Sequence, residues 1–220
     1  MSIQRSVLAA AVAVTLAGTA GLATAADEMK VKVTPTLESV TVEHDGEPVE
    51  IKRNQDPDNR IAEAYTRTSR ECPPFCVQPM EVVPGVEAIG EIEMLRLLEK
   101  ASNDDSILII DSRTPDWYQR GTIPSAVNIP WTKLYPEASS FDPFIAETLL
   151  LDEFGVKKID GLFDFRDAKT LVLFCNGPWC GQSPTNIRAL TAMGYPADKI
   201  HWYRGGMQVW HVMGLTTVKP

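Results

Sequence analysis

The sequence predicts an α/β fold built on a mostly parallel sheet, and three observations point to it. From Glu81 onward, strand-like and helix-like segments alternate, the signature of strands joined by helical crossovers. Two runs, Ile107-Leu108-Ile109-Ile110 and Leu171-Val172-Leu173-Phe174, are apolar at every position. A strand covered on both faces reads this way, whereas a half-exposed strand alternates. Finally, the second run leads through Cys175 and a short Gly- and Pro-containing loop into a helical pattern opened by Ser183-Pro184. Ser is a favoured helix N-cap and Pro a favoured first helical residue.

The elements follow in order. Met1 to Arg5 is a short basic start, Ser6 to Leu22 is apolar and rich in small residues, and Ala23-Thr24-Ala25 fits a small-x-small cleavage site. Residues 1–25 therefore read as a signal peptide, in preference to a membrane anchor, and predict an exported, periplasmic protein. Residues 26–80 read as an N-terminal extension. Within it, Thr41-Val42-Glu43 and Val49-Glu50-Ile51-Lys52 alternate around Asp45-Gly46, which predicts a β-hairpin. Residues 81–220 carry the α/β pattern. Glu91 to Lys100 has helical spacing in Ile92, Leu95 and Leu98, and Pro115 to Gly121 reads as a short helix. Ala126 to Ile129 reads as a short strand. Pro143 to Phe154 reads as a helix whose apolar spacing uses Phe144, Thr148, Leu149 and Leu151. Pro184 to Met193 is the helix behind the cysteine loop, stopped by Gly194, and Ile200 to Tyr203 is a last strand.

Composition narrows the function classes. The formal charge is −8, and removal of residues 1–25 takes away one cation, Arg5, and no acid, giving −9. An acidic chain without a basic stripe is a poor partner for nucleic acid or for anionic lipid. No segment after residue 25 is long and apolar enough to span a bilayer, so no membrane association is expected after cleavage.

The four cysteines form two close pairs, Cys72/Cys76 and Cys175/Cys180. Export places them in an oxidising compartment, and four cysteines allow three full pairings that sequence leaves open. Cys72 and Cys76 flank two prolines and a phenylalanine. They read as a local disulfide clip, with a second redox pair as the alternative. The spacings C-x3-C and C-x4-C have no histidine beside them in a ligand pattern, so no metal site is expected. His44, His201 and His211 are scattered and read as ordinary histidines.

Cys175 is the candidate nucleophile. At the end of a strand and before a helix N-terminus, it faces backbone N–H groups and the positive end of a helix dipole, which favour a thiolate and an anionic sulfur adduct. The alternative is a buried, inert cysteine.

These pieces resemble the rhodanese domain family. Ile109-Ile110-Asp111-Ser112-Arg113 resembles that family's strand end. Tyr118 to Ile129, YQRGTIPSAVNI, resembles its Y-x-x-G-H-I-P-G-A-x-N-I motif. Leu173-Phe174-Cys175 resembles the strand ending in the active cysteine, and Ser183 to Gly194 keeps the spacing of the helix that follows. Trp202 to Met207 with Trp210 resembles the closing L-x-G-G-x-x-x-W.

The resemblance implies a three-layer domain and a sulfurtransferase that moves sulfane sulfur. The donor would be thiosulfate or a persulfide, the acceptor a thiol, cyanide or a sulfur-accepting protein. It implies Cys175 as persulfide carrier, with Asn176, Gly177, Trp179, Gly181, Gln182 and Ser183 around the adduct and no cofactor. Asp111 and Arg113 would pair structurally.

Three departures bear on this. The loop C-N-G-P-W-C-G-Q-S is two residues longer than the usual C-x-x-G-x-R-S, and Gln182 stands where an arginine usually does. The loop therefore holds no cation to grip thiosulfate or, as in a phosphatase, phosphate. Thr122 and Ser125 replace a usual histidine and glycine. Cys180 is a second loop thiol, either a resolving partner for Cys175 or a space-filling residue. Hence two alternatives stand beside the leading reading: a thiol–disulfide oxidoreductase or redox sensor using Cys175/Cys180, and a non-catalytic binding module on the same fold.

Overall fold

Five parallel strands form the centre of the protein in a computed structural model that describes residues 29–220. The expected signal peptide lies outside the described residues. Among the described residues, no helix is long and apolar enough to cross a membrane.

The extension begins with β1 (Ser39–His44) and β2 (Glu47–Lys52), an antiparallel hairpin pairing Ser39 with Lys52 and His44 with Glu47. Its turn is the expected Asp45-Gly46, with φ of +53° and +81°. Two consecutive left-handed residues match the strand twist, which is why Asp-Gly marks such turns.

The sheet then assembles from β3 (Glu87–Ile89), β4 (Ile107–Asp111), β5 (Val127–Asn128), β8 (Thr170–Phe174) and β9 (Ile200–Tyr203). Its order is β3-β9-β8-β4-β5, so the strand leading into Cys175 is central. Helices α1 (Glu91–Ala101), α2 (Pro115–Tyr118), α3 (Pro143–Thr148), α4 (Gln182–Ala192) and α5 (Gly206–Val212) complete the domain.

Alternate residues of the apolar runs feed two separate cores. Ile109, Val172 and Phe174 pack with Met94, Leu95 and Leu98 of α1 and Trp210 of α5. Ile110, Leu171 and Leu173 pack with Ile187 and Leu190 of α4 and with Leu150 and Phe154. This two-sided burial is the physical cause of the unbroken apolar runs.

The hairpin is tied into the first of these cores through Val40, Val42 and Ile51. Thr216 donates its amide to the Lys52 carbonyl at 3.1 Å, and Arg53 bridges to Leu215. Residues near the C-terminus thus clasp the end of β2.

Two expectations need correction, and one hairpin was not expected. The segment Pro143 to Phe154 is not one helix with Phe144 on its apolar face. It is α-helical only to Thr148 and then widens into a π-turn over Leu149–Glu153. The buried face carries Ala146, Leu150 and Phe154 at four-residue spacing, and Phe144, in the first turn of α3, points away from it and is 77% exposed. The helix behind the cysteine loop begins at Gln182, not Pro184, with Gly181 as its N-cap. Pro184 is tolerated in the first turn, where its missing N–H has no intrahelical partner. Finally, β6 (Lys157–Ile159) and β7 (Leu162–Asp164) form a second hairpin about Asp160-Gly161, the same dipeptide signal as in the extension.

Candidate active site

Cys175 follows the last residue of β8 and is held from below by α5. Met207 donates its amide to the Cys175 carbonyl at 2.9 Å, and Gln208 donates to the Asn176 carbonyl at 2.9 Å. Further out, the Cys180 amide donates to the Gly177 carbonyl at 2.9 Å and closes a turn over Pro178-Trp179. Trp179 Nε1 donates to Gln208 Oε1 at 2.7 Å. Through these bonds the loop hangs on the start of α5.

Both loop thiols are free and buried, with Cys175 2% and Cys180 5% exposed. As a thiol, Cys175 donates to the Cys180 carbonyl at 3.3 Å. Burial alone pushes its pKa up. The Cys180 thiol, the amide and hydroxyl of Ser183 and the Gly177 amide outweigh burial and bring it down to about 7. The buried Ser183 hydroxyl has no partner at hydrogen-bond geometry among the described residues, and its nearness to Cys175 is seen in the lowered thiol pKa.

Cys180 moves the opposite way. Burial and the neighbouring Cys175 thiolate push it well above the ordinary thiol range, although the Gln182 and Asn176 amides pull it down. The two neighbouring thiols thus divide into a thiolate and a thiol donor, the arrangement in which one proton is shared by a coupled pair.

The expected loop residues divide accordingly. Of the amides from Asn176 to Ser183, those of Gly177 and Ser183 reach the Cys175 sulfur, and those of Asn176 and Gln182 reach Cys180. Ser183 acts on Cys175 rather than capping the helix. Gln182 opens α4 and sets its Oε1 3.5 Å from Cys180 Sγ. Asn176, Trp179, Gly181 and Gln182 line a cleft of about 460 Å³ together with Cys180. Cys180 is the loop sulfur on that wall, and Cys175, buried in the same loop, is not among the lining residues.

Asp111 and Arg113 form a fully buried pair, with Arg113 Nη2 2.5 Å from Asp111 Oδ2. Thr122 donates its hydroxyl to the same carboxylate oxygen at 2.8 Å, and Arg113 Nη1 donates to the Tyr65 hydroxyl at 3.0 Å. The pair is structural and also anchors the extension. Ser125, which replaces a glycine of the resembled motif, has φ +68°, a region glycine prefers. Its hydroxyl donates to the Glu43 carbonyl and its amide to His44 Nδ1, so the hairpin holds it there.

Cys72 and Cys76 are joined in a disulfide. Their segment lies against the loop: Gln78 donates its amide to the Pro178 carbonyl at 2.8 Å, and Arg204 Nη2 donates to the Gln78 carbonyl at 2.8 Å. Pro74 and Phe75, between the two cysteines, line the cleft, as does Arg70 just before them. Sequence reasoning missed these residues, and also Trp117, Trp131 and Thr185. Arg70 carries no local signal, because only the path of the extension brings it beside a loop more than a hundred residues away. Among the described residues, no group of three or more His, Cys, Asp or Glu side chains could hold a metal.

A rhodanese-like domain model matches residues 94–213, more than half of the chain. Among solved structures, the chain is similar to the human single-domain sulfurtransferase TSTD1, at 24% identity over 56% of this chain and 93% of that one, with a TM-score of 0.38. It is similar to SseA from Escherichia coli, whose structure is described with the rhodanese fold of 3-mercaptopyruvate sulfotransferases. There the identity is 21% over 56% of this chain and 43% of that one, with a TM-score of 0.38. The BH2092 protein from Bacillus halodurans gives 16% over 58% of this chain and 72% of that one, with a TM-score of 0.41. No curated protein sequence matches. With its parallel sheet, its strand-end cysteine and this match, the chain belongs to the rhodanese-like domain family.

Proposed function

We propose that the protein is a rhodanese-type sulfurtransferase that carries sulfane sulfur as a persulfide on Cys175. The observation that carries this reading is the donor set around one sulfur. The Cys180 thiol, the Ser183 amide and hydroxyl and the Gly177 amide lower Cys175 to about 7 despite burial. A thiolate at neutral pH is the attacking species, and donors that hold its charge also suit the charge of a persulfide.

With thiosulfate, the thiolate attacks the outer sulfur. A Cys175 S–S bond forms, the donor's S–S bond breaks, and its electron pair leaves with sulfite. The persulfide then yields its terminal sulfur to an acceptor thiolate or cyanide, which regenerates the Cys175 thiolate. The acceptor is a small thiol or a sulfur-accepting protein. An apparent signal peptide and a disulfide at Cys72–Cys76 favour an exported, periplasmic setting.

A second reading, thiol–disulfide exchange, is favoured by the contact of the two loop thiols. Cys180 can attack a Cys175 persulfide, forming a Cys175–Cys180 disulfide and releasing hydrosulfide.

The test is the intact mass of the reduced protein, lacking residues 1–25, after brief exposure to thiosulfate, followed by peptide mapping. One added sulfur on Cys175 supports the transferase. No added sulfur, with Cys175 linked to Cys180, sinks it in favour of disulfide chemistry.

A further inference from the structure

The cysteine loop lacks a cation, and the extension brings one to it. The Arg70 guanidinium lies 4.2 Å from the Trp179 ring centroid and 5.1 Å from that of Phe75. It makes no hydrogen bond or ion pair with any described residue, and its Nε is buried without a partner. Trp131, another wall of the same cleft, also carries a buried Nε1–H without a partner. None of the residues lining the cleft is acidic.

We propose that this cleft is a binding site for an organic anion, in which Arg70 grips the anionic group and Trp131, Trp179 and Phe75 hold an apolar body. The proposal deepens the sulfurtransferase reading by naming its donor class: an organic sulfur-donor anion in preference to inorganic thiosulfate.

Three physical points support it. Unpaired N–H groups in a cleft are costly unless a ligand satisfies them. A guanidinium stacked on aromatic faces is already oriented, so little side-chain entropy is lost when an anion arrives. A space of about 460 Å³ with aromatic walls is the size and character of a site for an organic ligand, and a small, strongly hydrated inorganic dianion has no use for the walls. The chain's net charge of −8 repels anions in general, so a local cation is needed at the point of binding.

For an organic thiosulfonate the transfer balances as follows. The Cys175 thiolate attacks the terminal sulfur, the bond between that sulfur and the sulfonyl sulfur breaks, and its electron pair leaves with the sulfinate. The new bond is the Cys175 persulfide, and the total charge is unchanged.

The test separates binding from transfer. Tryptophan fluorescence of the reduced protein is titrated with benzenesulfonate, which carries no transferable sulfur, and with neutral benzenesulfonamide. Saturable quenching by the sulfonate, and much weaker quenching by the sulfonamide, is expected. Arg70→Gln should weaken sulfonate binding about tenfold or more, as loss of a charged hydrogen bond does. Arg70→Lys should recover part of it. Arg70→Gln removes no hydrogen bond, and an unchanged thermal melt by circular dichroism establishes its fold.

Equal binding of sulfonate and sulfonamide, undiminished binding by Arg70→Gln, or no saturable quenching overturns the proposal. Loading of Cys175 by benzenethiosulfonate and by thiosulfate is then compared by mass. Arg70→Gln should slow the first donor more than the second. Binding without any loading leaves the anion site standing and sinks the transferase, while loading without sulfonate binding does the reverse.

Discussion

Gly206 touches the backbone of Cys175 so closely that a Cβ on Gly206 would lie 2.3 Å from the Cys175 carbonyl oxygen. Gly206 also has φ +55°, so a side chain there meets both backbone strain and backbone atoms. Gly206→Ala should cost on the order of 2–3 kcal/mol or more and displace the loop. A urea melt checks the first. The second is checked by a fall in the rate at which Cys175 is alkylated or loaded with sulfur.

The reactivity of Cys175 should follow its titration. Its folded pKa lies below the ordinary thiol value, at about 7. The thiolate therefore prevails above that pH and is lost as pH falls through it. The rate of alkylation by iodoacetamide, read by peptide mapping at Cys175, should rise with pH and level off above about 7. A midpoint near the ordinary thiol value would show that the donors around the sulfur do not stabilise the thiolate.

Cys180→Ala removes a hydrogen-bond donor to the charged form of Cys175. The midpoint of that same alkylation profile should move upward, because loss of a donor to the thiolate raises its pKa. Cys180→Ser retains a donor and should move it less. An unshifted midpoint in Cys180→Ala would make Cys180 a filler.

Breaking the buried pair of Asp111 and Arg113 should be costly. Asp111→Ala leaves the guanidinium of Arg113 buried without its carboxylate, and Thr122 loses its acceptor. We expect a loss of about 3–5 kcal/mol, measured as a shift in the urea midpoint with little change in slope.

The extension should contribute to stability. Ile51 is fully buried in the core that also holds Val172 and Phe174. Ile51→Ala should therefore destabilise the whole molecule by about 2–5 kcal/mol, in a single cooperative transition. A separate early transition, with the rest unaffected, would show that the hairpin folds independently.

By itself the sequence determined the parallel-sheet class, the hairpin at Asp45-Gly46 and the place of Cys175. Each is a local matter: an apolar run covered on both faces, a dipeptide that takes left-handed φ, a strand leading through a short loop into a helix. The second hairpin at Asp160-Gly161 carries the same kind of dipeptide but was not predicted, because strands of three residues are too short to show an alternating pattern. Other features were decided only by the tertiary structure. Which face of the segment from Pro143 is buried was one: Ala146, Leu150 and Phe154 face the core and Phe144 faces outward, because a segment with apolar residues on several faces leaves the choice to the surface it packs against. The division of the loop thiols into thiolate and donor depended on which amides and hydroxyls the folded loop aims at each sulfur. Arg70 came to the cleft only through the packing of the extension against the loop. Contacts between residues far apart in the chain leave no mark in local periodicity, since a side chain's partner there is set by the path of the backbone.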